Sequence, residues 1–198
     1  MEIKFSKDNI ELEKELNYLD HLVIKFCSNL NKLNIKYVIV SGYVSIVFGR
    51  SRSSEDIDIL VEKLSIKKFK ELWGILKNEF ECLNTIDFED AFNNYVSKKT
   101  ALRFALFNTA IPNMEFKFVQ TELDFWVLNN RLKLILNKNE LYISQIELQI
   151  CFKLSLGSNK DIEDAKHLYL LFKDKLNKET FLYFLKQLKQ EKNFNLLK

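Results

Sequence analysis

The chain has 198 residues, 47% hydrophobic and 29% charged, with 17 Phe, 7 Tyr and 2 Trp; so apolar a composition excludes a disordered chain and suffices for one domain with a sizeable core. Its 30 basic and 27 acidic residues leave a net charge of +3, so bulk charge names no polyanionic partner and any role on nucleic acid must rest on a local patch. The three cysteines, Cys27, Cys82 and Cys151, are too scattered for a disulfide framework or a zinc knuckle, and no apolar stretch approaches the ~20 residues that span a bilayer, so a cytoplasmic protein with no membrane partner is expected.

In chain order, residues 8–33 place Ile10, Leu12, Leu16, Leu19, Leu22, Val23 and Phe26 close to helical spacing, which predicts one long amphipathic helix. It forms an N-terminal portion, residues 1–35, packed on the core. The β-branched run 36–41 predicts a strand that stops at Gly42, followed by a short helix over 42–49, a polar loop over 51–56 and a strand over 56–62 whose apolar residues alternate. A helix over 65–78, short strands near 79–84 and 101–107 and a helix near 88–97 fill the middle. Residues 113–120 predict a strand with Met114, Phe116 and Phe118 on one face and Glu115 and Lys117 on the other. Residues 131–136 and 140–144 read as a hairpin, and 145–156, 158–174 and 178–190 as helices. The expected fold is α+β: a mixed-sheet core over 36–144 and a helical C-terminal portion over 145–198.

The chemistry concentrates in residues 38–62. Asp56 and Asp58 stand two apart in a strand, so both carboxylates share one face, about 7 Å apart along the chain. Like charges placed side by side repel, and a divalent cation between them relieves that cost; Mg²⁺ (or Mn²⁺), a hard ion held by few carboxylates plus substrate phosphates, suits the pair. Upstream, Gly42 ends a strand and opens a helix, where a backbone without a side chain lets a phosphate approach. Ser41 and Ser45 add hydroxyl donors. The chain has only four Arg among its 30 basic residues, and two of them, Arg50 and Arg52, stand in the loop before the Asp pair, as the residue type whose planar fork binds phosphate in two places would. Lys153, on a helix among Ile150, Phe152 and Leu154, is a further candidate to reach a phosphate. His21 and His167 have no partner spacing for a metal or a triad and read as surface or packing residues.

The run SGYVSIVFGRSRSSEDIDIL, residues 41–60, resembles the signature of the nucleotidyltransferase superfamily with the DNA polymerase β fold. More narrowly, it is similar to the minimal nucleotidyltransferases of the AbiEii type, found in toxin–antitoxin and phage-defence systems. ICFKLSLGSNKDIEDAKHLYLL, residues 150–171, is similar to a downstream element of that family, with Lys153, Lys160, Asp161 and Asp164. The resemblance spans about residues 36–172. It implies that Gly42 and Ser45 contact nucleotide phosphate, that Asp56 and Asp58 hold the metal, and that a neighbouring strand supplies a third carboxylate. Glu115 is the candidate, although Lys117 two residues on can pair with it. Asp124 is the alternative, although it stands where a helix cap would. Tyr43 replaces a smaller residue usual in the superfamily, which implies a tighter phosphate pocket. Ser158 with Asp161 three residues later also reads as a helix start.

Two functions follow from this resemblance. One is Mg²⁺-dependent transfer of a nucleoside monophosphate from a nucleoside triphosphate (NTP) to an RNA or protein hydroxyl. The other is a catalytically weak binding module, an antitoxin or nucleotide-sensing subunit. A cognate toxin or antitoxin protein, or a second copy of the chain in a homodimer, would use the terminal helices.

Overall fold

The computed structural model describes residues 1–6 and 9–197. Strands β1 (Glu2–Phe5), β2 (Asn9–Glu13), β3 (Tyr37–Ile39), β4 (Asp56–Val61), β5 (Phe80–Cys82), β6 (Leu102–Leu106), β7 (Asn113–Phe118), β8 (Leu132–Leu136) and β9 (Asn139–Ile143) form one mixed sheet. Its spatial order is β1-β2-β8-β9-β3-β4-β7-β6-β5. The central pair β4/β7 is parallel, flanked by antiparallel β3 on one side and β6 on the other.

The helices are α1 (Tyr18–Lys32), α2 (Gly42–Val47), α3 (Ile66–Leu76), α4 (Phe88–Asp90), α5 (Glu122–Asn129), α6 (Ile146–Leu156), α7 (Asn159–Phe172) and α8 (Lys178–Gln187). The expected α+β fold with a helical C-terminal portion is the fold observed, and most element positions agree with the sequence pattern. Short polar side chains cap several helix starts: Ser65 for α3, Thr121 for α5, Ser158 for α7 and Asn177 for α8, among others, each accept from a backbone N–H of the first turn. Gly157, at φ 71, ends α6 in the left-handed conformation that a side chain would oppose. Asn137 and Lys138, both at positive φ, turn β8 into β9.

The N-terminal helix expected over 8–33 is a correction. Residues 2–5 and 9–13 are antiparallel strands, and the helix begins only at Tyr18, capped by Asn17 and Asp20 in a reciprocal pair. Asp8 lies outside the described residues. β2 forms because Ile10 and Leu12, two apart, both face the core while β8 pairs with the strand in parallel register, Ile10 opposite Leu134. The first residues therefore extend the sheet itself. The expected helix near 88–97 is α4 continued by a wide turn of π type over Ala91–Val96.

The sheet's two faces have different duties. On one, Ile57, Ile59 and Val61 of β4 and Met114, Phe116 and Phe118 of β7 are buried with α1 and α3; Phe26 of α1 meets the rings of Phe80, Phe104 and Phe116 at centroid distances of 5.2, 5.7 and 6.3 Å. A buried aromatic of this kind contributes about 1.5–3 kcal/mol. This apolar layer fixes the register of β4 against β7, and with it the polar residues on the opposite face. Among the described residues, no helix is long and apolar enough to cross a membrane.

Candidate active site

The parallel register of β4 and β7 sets Asp56 opposite Asn113 and Asp58 opposite Glu115. Asp56, Asp58, Glu115 and Lys117 therefore project from the same face of two adjacent strands. Lys117 Nζ lies 2.6 Å from Asp58 Oδ1 and 2.7 Å from Glu115 Oε2, and Arg103 Nη2 lies 3.3 Å from Glu115 Oε1. Burial pushes the Asp58 carboxyl above its ordinary value, against the pull of Lys117, and a hydrogen bond to Glu115 and the negative charge of Asp56 add to the rise. Glu115 ends below its ordinary value: burial raises it, but hydrogen bonds from Lys117, from the Asp58 carboxyl and from Arg103, with the Lys117 charge, outweigh the burial. Lys117 is itself held above its usual range, because the two carboxylates outweigh its partial burial.

β3 ends beside this pair, with the Val40 N–H donating to the Asp58 carbonyl at 3.0 Å. Ser41 follows at φ 62, an unusual conformation for a residue with a side chain, and lines a cavity with Asp58 and Lys117. Gly42 then opens α2. A Cβ at Gly42 would stand 2.1 Å from Arg52 Nη2, so the glycine is what lets the guanidinium lie against the backbone. Arg52 Nη1 and Arg50 Nε lie 3.4 and 3.6 Å from Asp164, yet neither atom has a hydrogen-bond partner, and Arg52 Nε has none either. Arg50 also pairs with Glu163. Ser45 is fully buried inside α2, its hydroxyl unpartnered.

Lys153 belongs to this second cluster. It is 1% exposed, with Nζ 2.7 Å from Asp164 and 3.7 Å from Asp161. Apart from Ser45, which is buried inside α2, the sequence-predicted residues therefore fall into two groups. Asp56, Asp58, Glu115 and Ser41 stand at the β3/β4/β7 strands, while Arg50, Arg52 and Lys153 converge on Asp164; Gly42, covered by Arg52, joins the two.

A nucleotidyltransferase-like antigenic protein from Paracoccidioides brasiliensis superimposes with TM-score 0.54 at 18% identity, over 89% of this chain and 90% of that one. The antibiotic-resistance factor ANT(2'')-Ia superimposes with TM-score 0.51 at 8% identity, over 88% and 95%. The fold is nucleotidyltransferase-like. No protein-family model and no curated protein sequence matches the chain.

Within this nucleotidyltransferase-like fold, the donor set suits a hard divalent cation. Among the described residues, no three His, Cys, Asp or Glu side chains already converge as a metal centre. Asp58 and Glu115, however, close on one cation, the Lys117 ammonium, and Asp56 stands two residues along the same strand face. Carboxylate oxygens gathered around a positive charge are the ligands that Mg²⁺ or Mn²⁺ takes. Asp124, the alternative third acid, is a helix cap: its Oδ2 accepts from the backbone of Gln120 and Thr121 at 3.0 and 2.9 Å. Tyr43 does not tighten the phosphate approach, because it is buried away from the cavity with its hydroxyl donating to Asp20 at 2.8 Å. His167 lies 3.0 Å from the Phe48 carbonyl.

Sequence reasoning missed two residues here. Lys117 was visible only as a neighbour of Glu115, because its contact with Asp58 needs the strand register. Gln149 lines the cavity beside Asp58; a lone amide among the apolar residues of 146–154 was the signal, since polar groups in such positions need a reason.

Proposed function

We propose that the chain transfers a nucleoside monophosphate from a nucleoside triphosphate to the hydroxyl of an RNA or protein acceptor. The acceptor oxygen bonds to the α-phosphorus, the bond to the β-phosphate breaks, and pyrophosphate leaves with the electron pair. The observation that carries this reading is the in-register pair Asp58 and Glu115, two carboxylates on adjacent parallel strands sharing one cation with Asp56 beside them. Asp56, Asp58 and Glu115 would hold Mg²⁺ or Mn²⁺, which when bound neutralises phosphate charge and acidifies the attacking hydroxyl.

The chain's own groups do the rest. Gly42 lets the Arg52 guanidinium lie against the backbone where α2 begins, and Ser41 lines the cavity beside Asp58. Arg52, whose Nε and Nη1 lack hydrogen-bond partners, donates to the phosphates, with Arg50 behind it. Lys117 releases the carboxylates and turns its charge toward the triphosphate. Lys153 acts through Asp164 by holding the arginine loop in place, and is a positioning residue. The AbiEii-like wording of 41–60 and 150–171 supports placing the reaction in a toxin–antitoxin or defence setting.

The test is transfer of labelled nucleotide with Mg²⁺ or Mn²⁺, comparing wild type with Asp58→Asn. A loss of roughly 10²–10³-fold, the scale for removing one preorganised charge-stabilising group, is expected. Equal activity refutes the reading. One observation favours a binding module instead: Lys117 already pairs with both carboxylates. Stabilisation by NTP without pyrophosphate release would support that alternative.

A further inference from the structure

The sheet ends in two edge strands, β1 and β5. On its inner side β1 pairs with β2, Ile3 opposite Leu12 and Lys4 opposite Glu11. Hydrogen bonds in an antiparallel pair join alternate residue pairs. The Ser6 N–H donates to the Asn9 carbonyl at 3.0 Å, and the Leu12 carbonyl turns away from β1 to accept from the Asn137 N–H at 2.9 Å. The pairs bonded across β1 and β2 are therefore those of Glu2 and Lys4, while the N–H and C=O of Ile3 and Phe5 point outward. Among the described residues no strand meets them. Such a row of backbone groups is a template for one more strand.

The side chains of this edge match a copy of themselves. A two-fold axis through Ile3 sets Ile3 opposite Ile3 of the second copy, as the pair that exchanges both backbone bonds. Glu2 then faces Lys4 of the copy, and Lys4 faces Glu2, at the positions where opposed side chains stand closest. On the other face of the strand Met1 faces Phe5 of the copy. These side chains are available: Lys4 and Glu2 are 62% and 63% exposed, Met1 62% and Phe5 39%. A lysine on an edge strand ordinarily repels a second chain, but Glu2, 3.2 Å from Lys4 in the same strand, turns that repulsion into attraction under the two-fold. β5 has no such match, because its three residues centre on Glu81, which would face itself.

We propose that the outer edge of β1 is an interaction surface for a second copy of this chain, the two β1 strands pairing antiparallel about Ile3 so that one sheet runs through both copies. This surface is separate from the terminal helices and independent of the nucleotidyl-transfer reading. One short strand a side buries less than the ~1,200 Å² of stable interfaces, so the pair is a weak, reversible one.

The test is sedimentation velocity of the full chain from about 5 to 500 µM, where a monomer–dimer equilibrium with a dissociation constant on the order of 10⁻⁵–10⁻⁴ M is expected. Lys4→Glu sets glutamates against glutamates at both symmetric positions and should weaken the dimer at least about tenfold. The double variant Glu2→Lys with Lys4→Glu restores opposite charges with the signs exchanged, and should return to within about threefold of wild type. Amide exchange of the wild type gives a measurement that needs no variant: the Ile3 and Phe5 amides, which point outward, should be protected at about 500 µM and exchange freely at about 5 µM. A wild type that stays monomeric throughout overturns the proposal. So does a dimer that Lys4→Glu leaves intact, which would be made through another surface such as the terminal helices. A double variant as weak as Lys4→Glu, or Ile3 and Phe5 amides whose exchange ignores concentration, overturns it as well.

Discussion

Asp164 offers the sharpest quantitative test of how the basic loop is held. Its side chain is fully buried and takes Lys153 at 2.7 Å, Arg52 at 3.4 Å and Arg50 at 3.6 Å. Asp164→Asn keeps the volume but removes the charge, leaving Lys153 at 1% exposure with only Asp161 at 3.7 Å. Breaking a buried pair by removing one partner costs about 3–5 kcal/mol. Asp161 and partial solvent access at the arginines place this case near the lower end, roughly 3 kcal/mol. At ~2–4 °C per kcal/mol for a domain of this size, the melting temperature should fall by about 6–12 °C. Urea unfolding with an unchanged m-value would assign the loss to the folded state. Lys153→Met should cost less, because Asp164 keeps two arginines, and adding Asp164→Leu to it should recover part of the Asp164→Asn loss, as apolar replacements of buried ion pairs do. An Asp164→Asn protein that melts within about 2 °C of wild type, less than 1 kcal/mol, would refute the assignment of Asp164 as the anchor of Lys153 and the arginines.

Lys117→Met leaves Asp58 and Glu115 facing each other without their cation, so the variant should melt lower than wild type in EDTA and gain more than wild type from Mn²⁺; equal melting in EDTA and Mn²⁺ would sink the metal assignment. Gly42→Ala sets a Cβ 2.1 Å from Arg52 Nη2 and must push the guanidinium off, costing about 1–2 kcal/mol; the same change in an Arg52→Ala background should cost under half as much, and additive costs would show that no clash was relieved. Burial pushes the Cys27 and Cys151 thiols up to about 12, so at pH 8 only ~10⁻⁴ of each is thiolate, a fraction that rises about tenfold per pH unit. Thiol labelling of the native protein at pH 8 should therefore modify Cys82, which is partly exposed, while labelling of Cys27 ahead of Cys82 would contradict the core packing.

The parts of this molecule that were legible in the sequence are those whose signals are local. Strand, Gly42, short helix, arginine loop and Asp-x-Asp strand lie within 25 consecutive residues, 38–62, and each is set by alternation or turn chemistry. Asp124 and Asp161 were readable as caps for the same reason. Ile10 and Leu12 were misread because Leu16 and Leu19 continue their pattern at spacings of four and three, and a strand there is decided by β8, far along the chain. Lys117 reaching Asp58, and Lys153 turning to Asp164 as its partner, depend on register and helix docking that no window of sequence contains.

The seating of β2 against β8 also sets an order of assembly. The Lys14 N–H finds its acceptor on Asn137, 123 residues later, and at ~5–20 residues per second of synthesis that partner emerges about 6–25 s afterwards. β2, made before β8, thus docks only after β8 has emerged. Until then Ile10 and Leu12, which become core, have no sheet partner, and the charges of Glu11, Glu13 and Lys14 set around them are of the kind that disfavours pairing with another chain.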